Sequence, residues 1–495
     1  MTALSKVRVQ TRKGLAITAI LLSTFLAAAE STIIATAMPS VVADLGGLEL
    51  YGWTSALYML AMTVTIPIWG KLADLRGRKP VIVTGIVTFL VGSAACALAP
   101  SMGALIAARV LQGVGAGGVQ PIAMTIMGDM FAPKERARMQ GVFGAVWGVA
   151  AIVGPLLGGF IVRALSWRWV FWFNVPFGAL AIALMIVALE SRKDATAEKR
   201  PLDFAGAALL SVSVLALLAA SSGYAPLLLG PASAIALVLF LFVERRHEEP
   251  LLPMDLMRKR VIAVANASGG VIGGVMTASV IYLPLYAQAV VGASPTAAGA
   301  IVAPMLVGWP LASAASGRML FWAGGQRLVR AGFSVVALSA IALDLLVHHG
   351  GTPNALRACM FAFGTGMGLA NTALIITVQD SVPFSRRGVA TASMMFSRTI
   401  GGAVAVGVLG ALVAHVLQGR VPEAVLDALL GPDHGRSLGE GEVARYRGDV
   451  QAGMSPIFHV LAVMAAVGAG LGMLFPRVEV GGSAASKEVP AGEAI

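Results

Sequence analysis

Gly70-Lys71-Leu72-Ala73-Asp74-Leu75-Arg76-Gly77-Arg78-Lys79-Pro80 is a short basic turn set between two apolar runs, 52–73 and 80–99. Each run has about the 20 residues that a helix needs to cross a bilayer. The turn therefore reads as a loop joining two membrane crossings. Cutting the rest of the chain wherever charge, Pro or Gly clusters interrupt such runs adds crossings at 14–38, 102–131, 139–163, 168–189, 203–221 and 225–243. The remainder are 262–290, 295–317, 328–347, 354–379, 388–417 and 455–475, which makes fourteen in all. Composition agrees: 57% of the 495 residues are hydrophobic and 12% are charged, against about 25% charged in soluble domains. That excludes a soluble fold and also a disordered chain, which is poor in apolar residues. Cys96 and Cys359 lie singly inside apolar runs, without the spacing of a disulfide framework or a zinc site.

An even number of crossings puts both termini on the face that carries the 70–80 turn. That face receives 27 of the 36 Lys and Arg residues, so the positive-inside rule predicts that it is cytoplasmic. One missed or invented helix would invert every later loop and scatter the charge. The net charge of +11 is thus a topology signal, and no basic, aromatic-interleaved module suggests nucleic acid. The first run is too long for a signal peptide and contains Glu30, so it is expected to be a retained helix. Loop 418–454 is expected to be external and polar, with room for a helix such as 421–430. Residues 476–495 are expected to form a disordered cytoplasmic tail.

Four motifs carry a family resemblance. In the 70–80 turn, Gly70 and Gly77 permit close approach and a tight bend. Asp74 and Arg78 can pair with a neighbouring helix, or the stretch can be a solvated basic loop that only sets topology. The others are Arg109-Val110-Leu111-Gln112-Gly113-Val114-Gly115, Gly154-Pro155-Leu156-Leu157-Gly158-Gly159 with Gly141 before it, and Glu30-Ser31-Thr32-Ile33-Ile34-Ala35-Thr36-Ala37-Met38-Pro39. Together they resemble the major facilitator superfamily, and within it the fourteen-helix drug:proton antiporters. Ala150, where that family usually has Gly, and Glu30, where Asp is commoner, are the departures. Trp167-Arg168-Trp169-Val170-Phe171-Trp172-Phe173-Asn174-Val175-Pro176, Tyr282-Leu283-Pro284-Leu285-Tyr286-Ala287-Gln288 and Arg387-Gly388-Val389-Ala390-Thr391-Ala392 extend the likeness along the chain.

The resemblance implies an all-α major facilitator fold. Two six-helix halves, 14–189 and 261–475, would rock about a midplane cavity, with a two-helix insertion at 190–260. It implies a monomer in the inner (cytoplasmic) membrane that exports hydrophobic, cationic drug-like compounds against protons, driven by the proton gradient without a cofactor. Export of an endogenous amino acid, lipid or siderophore stays open, and a channel or sensor is the reading from another class. No nucleotide-binding loop, metal cluster or nucleophile-base motif points to an enzyme.

Ionisable residues inside a span are costly and are functional candidates by default. Glu30 and Arg109 fall at similar depth on oppositely running helices and can pair, as a proton-coupling site or as a static buried pair. Asp344, one turn before His348, is a second proton or cation site or a residue that snorkels to the interface. Asp129, with Asp74 and Arg78, forms a conformational latch by the resemblance, or a solvated helix end. Arg398, Asn371, Gln288, Tyr58, Trp147, Tyr282, Tyr286 and Trp309 are candidates for the substrate cavity, and Gln379 for hydrogen bonds to substrate or between helices. Trp167, Trp169 and Trp172 are expected to form an interfacial belt. His415 and His459 are expected to be interfacial and not to bind metal.

Overall fold

The computed structural model describes residues 3–46, 50–131, 133–189, 203–221, 224–247, 250–293, 295–417 and 440–478. The expected tail beyond 478, most of the stretch 190–203 and the first part of loop 418–454, including 421–430, lie outside the described residues. Within them the chain is helical, with no strand. In order the helices are α1 (Ala3–Leu45), α2 (Tyr51–Arg76), α3 (Arg78–Ala97), α4 (Met102–Met130), α5 (Pro133–Ala164), α6 (Arg168–Trp172), α7 (Asn174–Ala188) and α8 (Phe204–Ser221). They continue as α9 (Pro226–Glu244), α10 (Met254–Met257), α11 (Arg260–Ala289), α12 (Pro295–Ala323), α13 (Gly325–His348), α14 (Pro353–Asp380), α15 (Arg387–Leu417) and α16 (Glu440–Met473). Among the described residues 13 candidate spans are long and apolar enough to cross a membrane. The 32-residue α5 supplies the remaining predicted crossing.

Local chemistry sets several ends. Ser101 caps α4 by accepting a hydrogen bond from Ala104 N at 3.2 Å, and Thr352 caps α14, whose first turn opens on Pro353. Between α2 and α3, Gly77 has φ +90°, a conformation that a side chain would strain, so the 70–80 turn reverses within one residue. Some boundaries differ from expectation. The first helix extends beyond 14–38 to Leu45. The crossing expected at 168–189 breaks at Phe173 into α6 and α7. Residues 440–454 belong to α16 and not to a loop, because a helix need not end where its apolar run ends once it has left the membrane.

Helix packing forms two bundles. In the first, α1 lies on α5 and α7, and α4 lies on α2 and α3. In the second, α11 lies on α15 and α16, and α14 lies on α12 and α13. Helices α8 and α9 pack on each other, and α8 also touches α2 and α15, so the pair sits beside the junction. The bundles meet along α5–α12 and α2–α15. Small residues make this possible: a Cβ on Gly141 would stand 3.1 Å from Ala314 Cβ, and one on Gly144 3.1 Å from Pro310 Cγ. At the other junction Gly70 of α2 packs directly on Gly388 and Ala392 of α15.

Candidate functional site

A buried polar cluster occupies the first bundle. Arg109 of α4 is 1% exposed and Glu30 of α1 is 1% exposed. Arg109 Nη1 donates to Glu30 Oε1 at 2.6 Å and to Gln112 Oε1 at 2.6 Å. The guanidinium lies 3.9 Å from the centre of the Tyr58 ring, a cation–π contact that supports the charge from α2. The second carboxylate oxygen of Glu30 accepts from Asn174 Nδ2 at 2.6 Å. Asn174 also donates to Ser93 Oγ at 3.0 Å, and Ser93 donates to the Phe171 carbonyl at 2.9 Å. Five helices (α1, α2, α3, α4 and α7) thereby join one network, in which α4 and α7 supply the donors to the carboxylate. The break at Phe173 puts Asn174 at the start of α7, where its side chain can turn inward. Matched depth predicted the Glu30–Arg109 pair. It did not single out Asn174, Ser93 or Gln112 as partners, and the only signal was a polar side chain in an apolar run.

A second network joins the bundles at the face of the 70–80 turn. Asp74 Oδ1 accepts from Gly388 N at 3.0 Å and Oδ2 from Val389 N at 2.7 Å. A carboxylate of the first bundle thus caps α15 of the second, where the helix dipole favours negative charge. Arg78 pairs with Asp74 at 2.8 Å and with Asp129 at 3.1 Å, and its Nη2 donates to the Phe384 carbonyl at 2.8 Å. Arg387 reaches Asp129 at 3.3 Å and the Gln379 carbonyl at 3.1 Å. Arg136 pairs with Asp380 at 2.7 Å, and Gln379 Nε2 donates to the Met124 carbonyl at 3.2 Å. Asp74, Arg78 and Asp129 are therefore brought together. Arg136, Arg387 and Asp380 complete the network, and the sequence does not single them out, since their ion-pair partners lie more than 200 residues away. These polar contacts between the bundles cluster at the basic face, which is closed.

The residues from 20 to 406 match the family model for the Major Facilitator Superfamily. The chain belongs to that superfamily. It is 36% identical over 424 residues to Multidrug transporter protein MdtP of Bacillus subtilis (strain 168), an alignment covering 83% of this chain and 77% of that protein. It is 33% identical to Multidrug resistance protein 3 of the same organism, covering 82% and 80%. Among solved structures, the proton:xylose symporter XylE superposes with a TM-score of 0.64 at 13% identity, covering 94% of this chain and 97% of XylE. The human organic anion transporter MFSD10 (TETRAN) gives 0.59 at 16%, covering 91% and 99%. At those identities the structures speak for the shared fold. This major facilitator protein is a multi-pass membrane transporter of small molecules, not an enzyme.

The transporter's other candidate residues are dispersed. Tyr58 is buried beneath Arg109. Tyr282 and Tyr286 are buried, donating to the Val406 carbonyl at 2.7 Å and the Val347 carbonyl at 3.2 Å, and they tie helices of the second bundle together. Gln288 donates to the Pro284 carbonyl of its own helix at 3.5 Å. Trp309 packs on the second core, and Trp147 is 36% exposed on α5. Arg398 and Asn371 do meet, at 3.4 Å. At the far end of α13, Asp344 lies 3.1 Å from His348 Nδ1 and 3.2 Å from His459 Nδ1. His459, expected at the interface, therefore joins Asp344 from α16. The tryptophan belt is also revised. Trp167 is 4% exposed, and its indole N–H donates to Asp44 at 2.9 Å. That bond and one from Arg168 hold the Asp44 carboxyl below its usual range. Trp169 remains exposed.

In the Gly154–Gly159 segment, Gly158 contacts α1. A Cβ there would stand 3.0 Å from the Ile33 carbonyl and closer still to Thr36 Oγ1. Gly158→Val is expected to destabilise the transporter by about 1–3 kcal/mol through overpacking. A drop in melting temperature of detergent-purified protein, larger than that for Gly159→Val, checks it, since a Cβ on Gly159 meets only Arg163 at 3.9 Å. Gly154 is buried and the Pro155 side chain lies outside the described residues.

Proposed function

We propose that the transporter is a proton-coupled antiporter that exports hydrophobic, cationic drug-like compounds by alternating access. The observation that carries this reading is the carboxylate of Glu30, buried in the first bundle and held by one arginine and one asparagine. A titratable group so placed can change its proton occupancy only if the helices around it move or water enters, which links protonation to conformation. The names of the Bacillus subtilis relatives support transport of varied drug-like compounds, and the Gly-Pro element of α5 supports the antiport direction. Glu30 and Arg109 are the proton-coupling pair in this reading, with Asp344 as a secondary proton site. Asp74, Arg78 and Asp129 form the latch. Residues 14–189 and 261–475 are the two moving halves, 190–260 is the insertion, and the cavity lies between the halves. No cofactor is required, because the proton gradient is the energy source.

In this reading both termini lie on the cytoplasmic side of the bacterial inner membrane, and the network of Asp74, Arg78 and Asp129 holds that side shut. In a background lacking Cys96 and Cys359, a membrane-impermeant maleimide added from outside is expected to label Asn354→Cys and to miss Ser385→Cys. Both positions are exposed; the reverse pattern sinks the topology. Uphill flux of a hydrophobic cation in proteoliposomes under an imposed pH gradient tests the coupling. Flux that ignores the gradient overturns it.

A further inference from the structure

Among the described residues, two arginines lie deep in the helices, and one of them has a carboxylate partner. Arg109 is matched by Glu30. Arg398 has no salt bridge among the described residues, and its one hydrogen bond there is from Nη1 to Asn371 Oδ1 at 3.4 Å. The acidic residues that might serve it are engaged elsewhere. Asp74, Asp129 and Asp380 are held at the basic face by Arg78, Arg387 and Arg136, and Asp344 sits between two histidines at the far end.

Depth and orientation follow from the helices. Arg398 comes 11 residues after Arg387 at the start of α15, about 16 Å from the basic face at 1.5 Å per residue. Asn371 comes 9 residues before Asp380 at the end of α14, about 14 Å from the same face. Beneath the arginine, Gly273 of α11 leaves room for its stem. A Cβ there would fall 2.6 Å from Arg398 Cγ, so the close packing of α11 fixes the root of the side chain. Asn371 is the one residue from Ala370 to Gln379 that is not buried. Around it α14 is packed by α12, α13 and α15 and touches α5 of the other bundle, so Asn371 keeps accessible surface within the helix packing.

A guanidinium has five N–H donors and cannot be neutralised by losing a proton. One amide oxygen leaves most of that capacity unused at a depth where charge is expensive. We propose that Arg398 and Asn371 form an anion-receiving position in the transport cavity, which selects cargo carrying a carboxylate on an apolar body. The inference rests on the reading that amphipathic compounds pass between the bundles, and it widens the cargo from cations to carboxylates and zwitterions. A carboxylate can take two parallel N–H bonds from the guanidinium, while the Asn371 amide N–H₂ offers a further donor.

Three probes with one apolar body separate charge from hydrophobicity: 4-(1-pyrenyl)butyrate, its methyl ester, and 1-pyrenylmethylammonium. Binding is measured on purified protein in nanodiscs at one pH, without a gradient. The wild type is expected to bind the carboxylate about tenfold or more tighter than the ester, the scale of one good charge-assisted contact. Arg398→Gln should erase that preference while changing ester binding by less than about twofold, and Arg398→Lys should restore part of it. Asn371→Asp supplies an internal counter-ion for Arg398, so it should fold as the wild type, lose the carboxylate preference and keep the ammonium. The inference is overturned if the wild type shows no preference, if Arg398→Gln weakens all three probes alike, or if Asn371→Asp binds the carboxylate unchanged. Gradient-driven export of the ammonium, measured in parallel, separates the two ideas. Export without a carboxylate preference removes this inference alone, and a preference without export removes the antiport reading.

Discussion

Glu30→Gln abolishes uphill export driven by a pH gradient, while energy-independent binding and exchange of a hydrophobic cation survive. That is the expected result in proteoliposomes, and it follows from the geometry around one side chain. Glutamine keeps the length of glutamate, so its amide oxygen can still accept from Arg109 Nη1, which now lies 2.6 Å from Glu30 Oε1. Its amide nitrogen would meet the donor of Asn174, which lies 2.6 Å from Oε2; an amide flip of Asn174 resolves that clash by presenting its oxygen. The shape is retained and the titratable proton is removed. Arg109 loses its counter-charge but keeps Gln112 and the Tyr58 ring. Arg109→Ala is more damaging, because a buried carboxylate without its cation costs about 3–5 kcal/mol. It should reduce both expression and transport, and Arg109→Lys should do less harm. If Glu30→Gln still drives uphill export with wild-type proton stoichiometry, the proton carrier lies elsewhere, and Asp344 with its two histidine neighbours is the next candidate.

Asp74→Ala is expected to shift the transporter away from the conformation with a closed basic face. The substitution removes two hydrogen bonds from Gly388 N and Val389 N, and the partner of Arg78 at 2.8 Å. Hydrogen bonds to charged groups contribute about 1.5–3 kcal/mol each, but both states are solvated differently and part of the loss is recovered. A net shift of about 1–2 kcal/mol changes the ratio of two states roughly 5- to 30-fold. Spin labels at the exposed basic-face positions Glu135 and Trp322, one in each bundle, should report a new long-distance population. Asp74→Asn should give a smaller shift, since it keeps an acceptor and loses the charge. An unchanged distance distribution together with wild-type turnover counts against the latch. Because the contact runs between bundles, the same variants should lower the melting temperature of the purified protein far less than Gly158→Val.

The helix pattern and the family were legible in the chain because the bilayer imposes one rule on every crossing. About 20 apolar residues are needed in a row, and Gly70–Pro80 breaks two such rows with a motif short enough to read by eye. Depth was also legible, since 1.5 Å per residue turns position in a span into height, and Glu30 and Arg109 came out level. What a linear reading misses is rotation about each helix axis and contact across long separations. That the Tyr58 ring supports Arg109 is set by such rotation. Trp167 was read as an interfacial ring and donates to Asp44. Asn174 sits in a motif whose spacing does not say that the helix breaks at Phe173 and turns its amide toward Glu30.

The sequence by itself determined that this protein crosses the membrane many times, which of its faces is basic and which superfamily it belongs to. These are properties of local composition and period, which the solvent reads one segment at a time. Only the tertiary structure decided which charges are satisfied. Asp74 caps a helix through Gly388, 314 residues later, and Arg398 finds an amide and, among the described residues, no carboxylate. An ion pair requires two side chains within about 4 Å, and that proximity is a product of helix rotation and bundle packing, which no single segment contains.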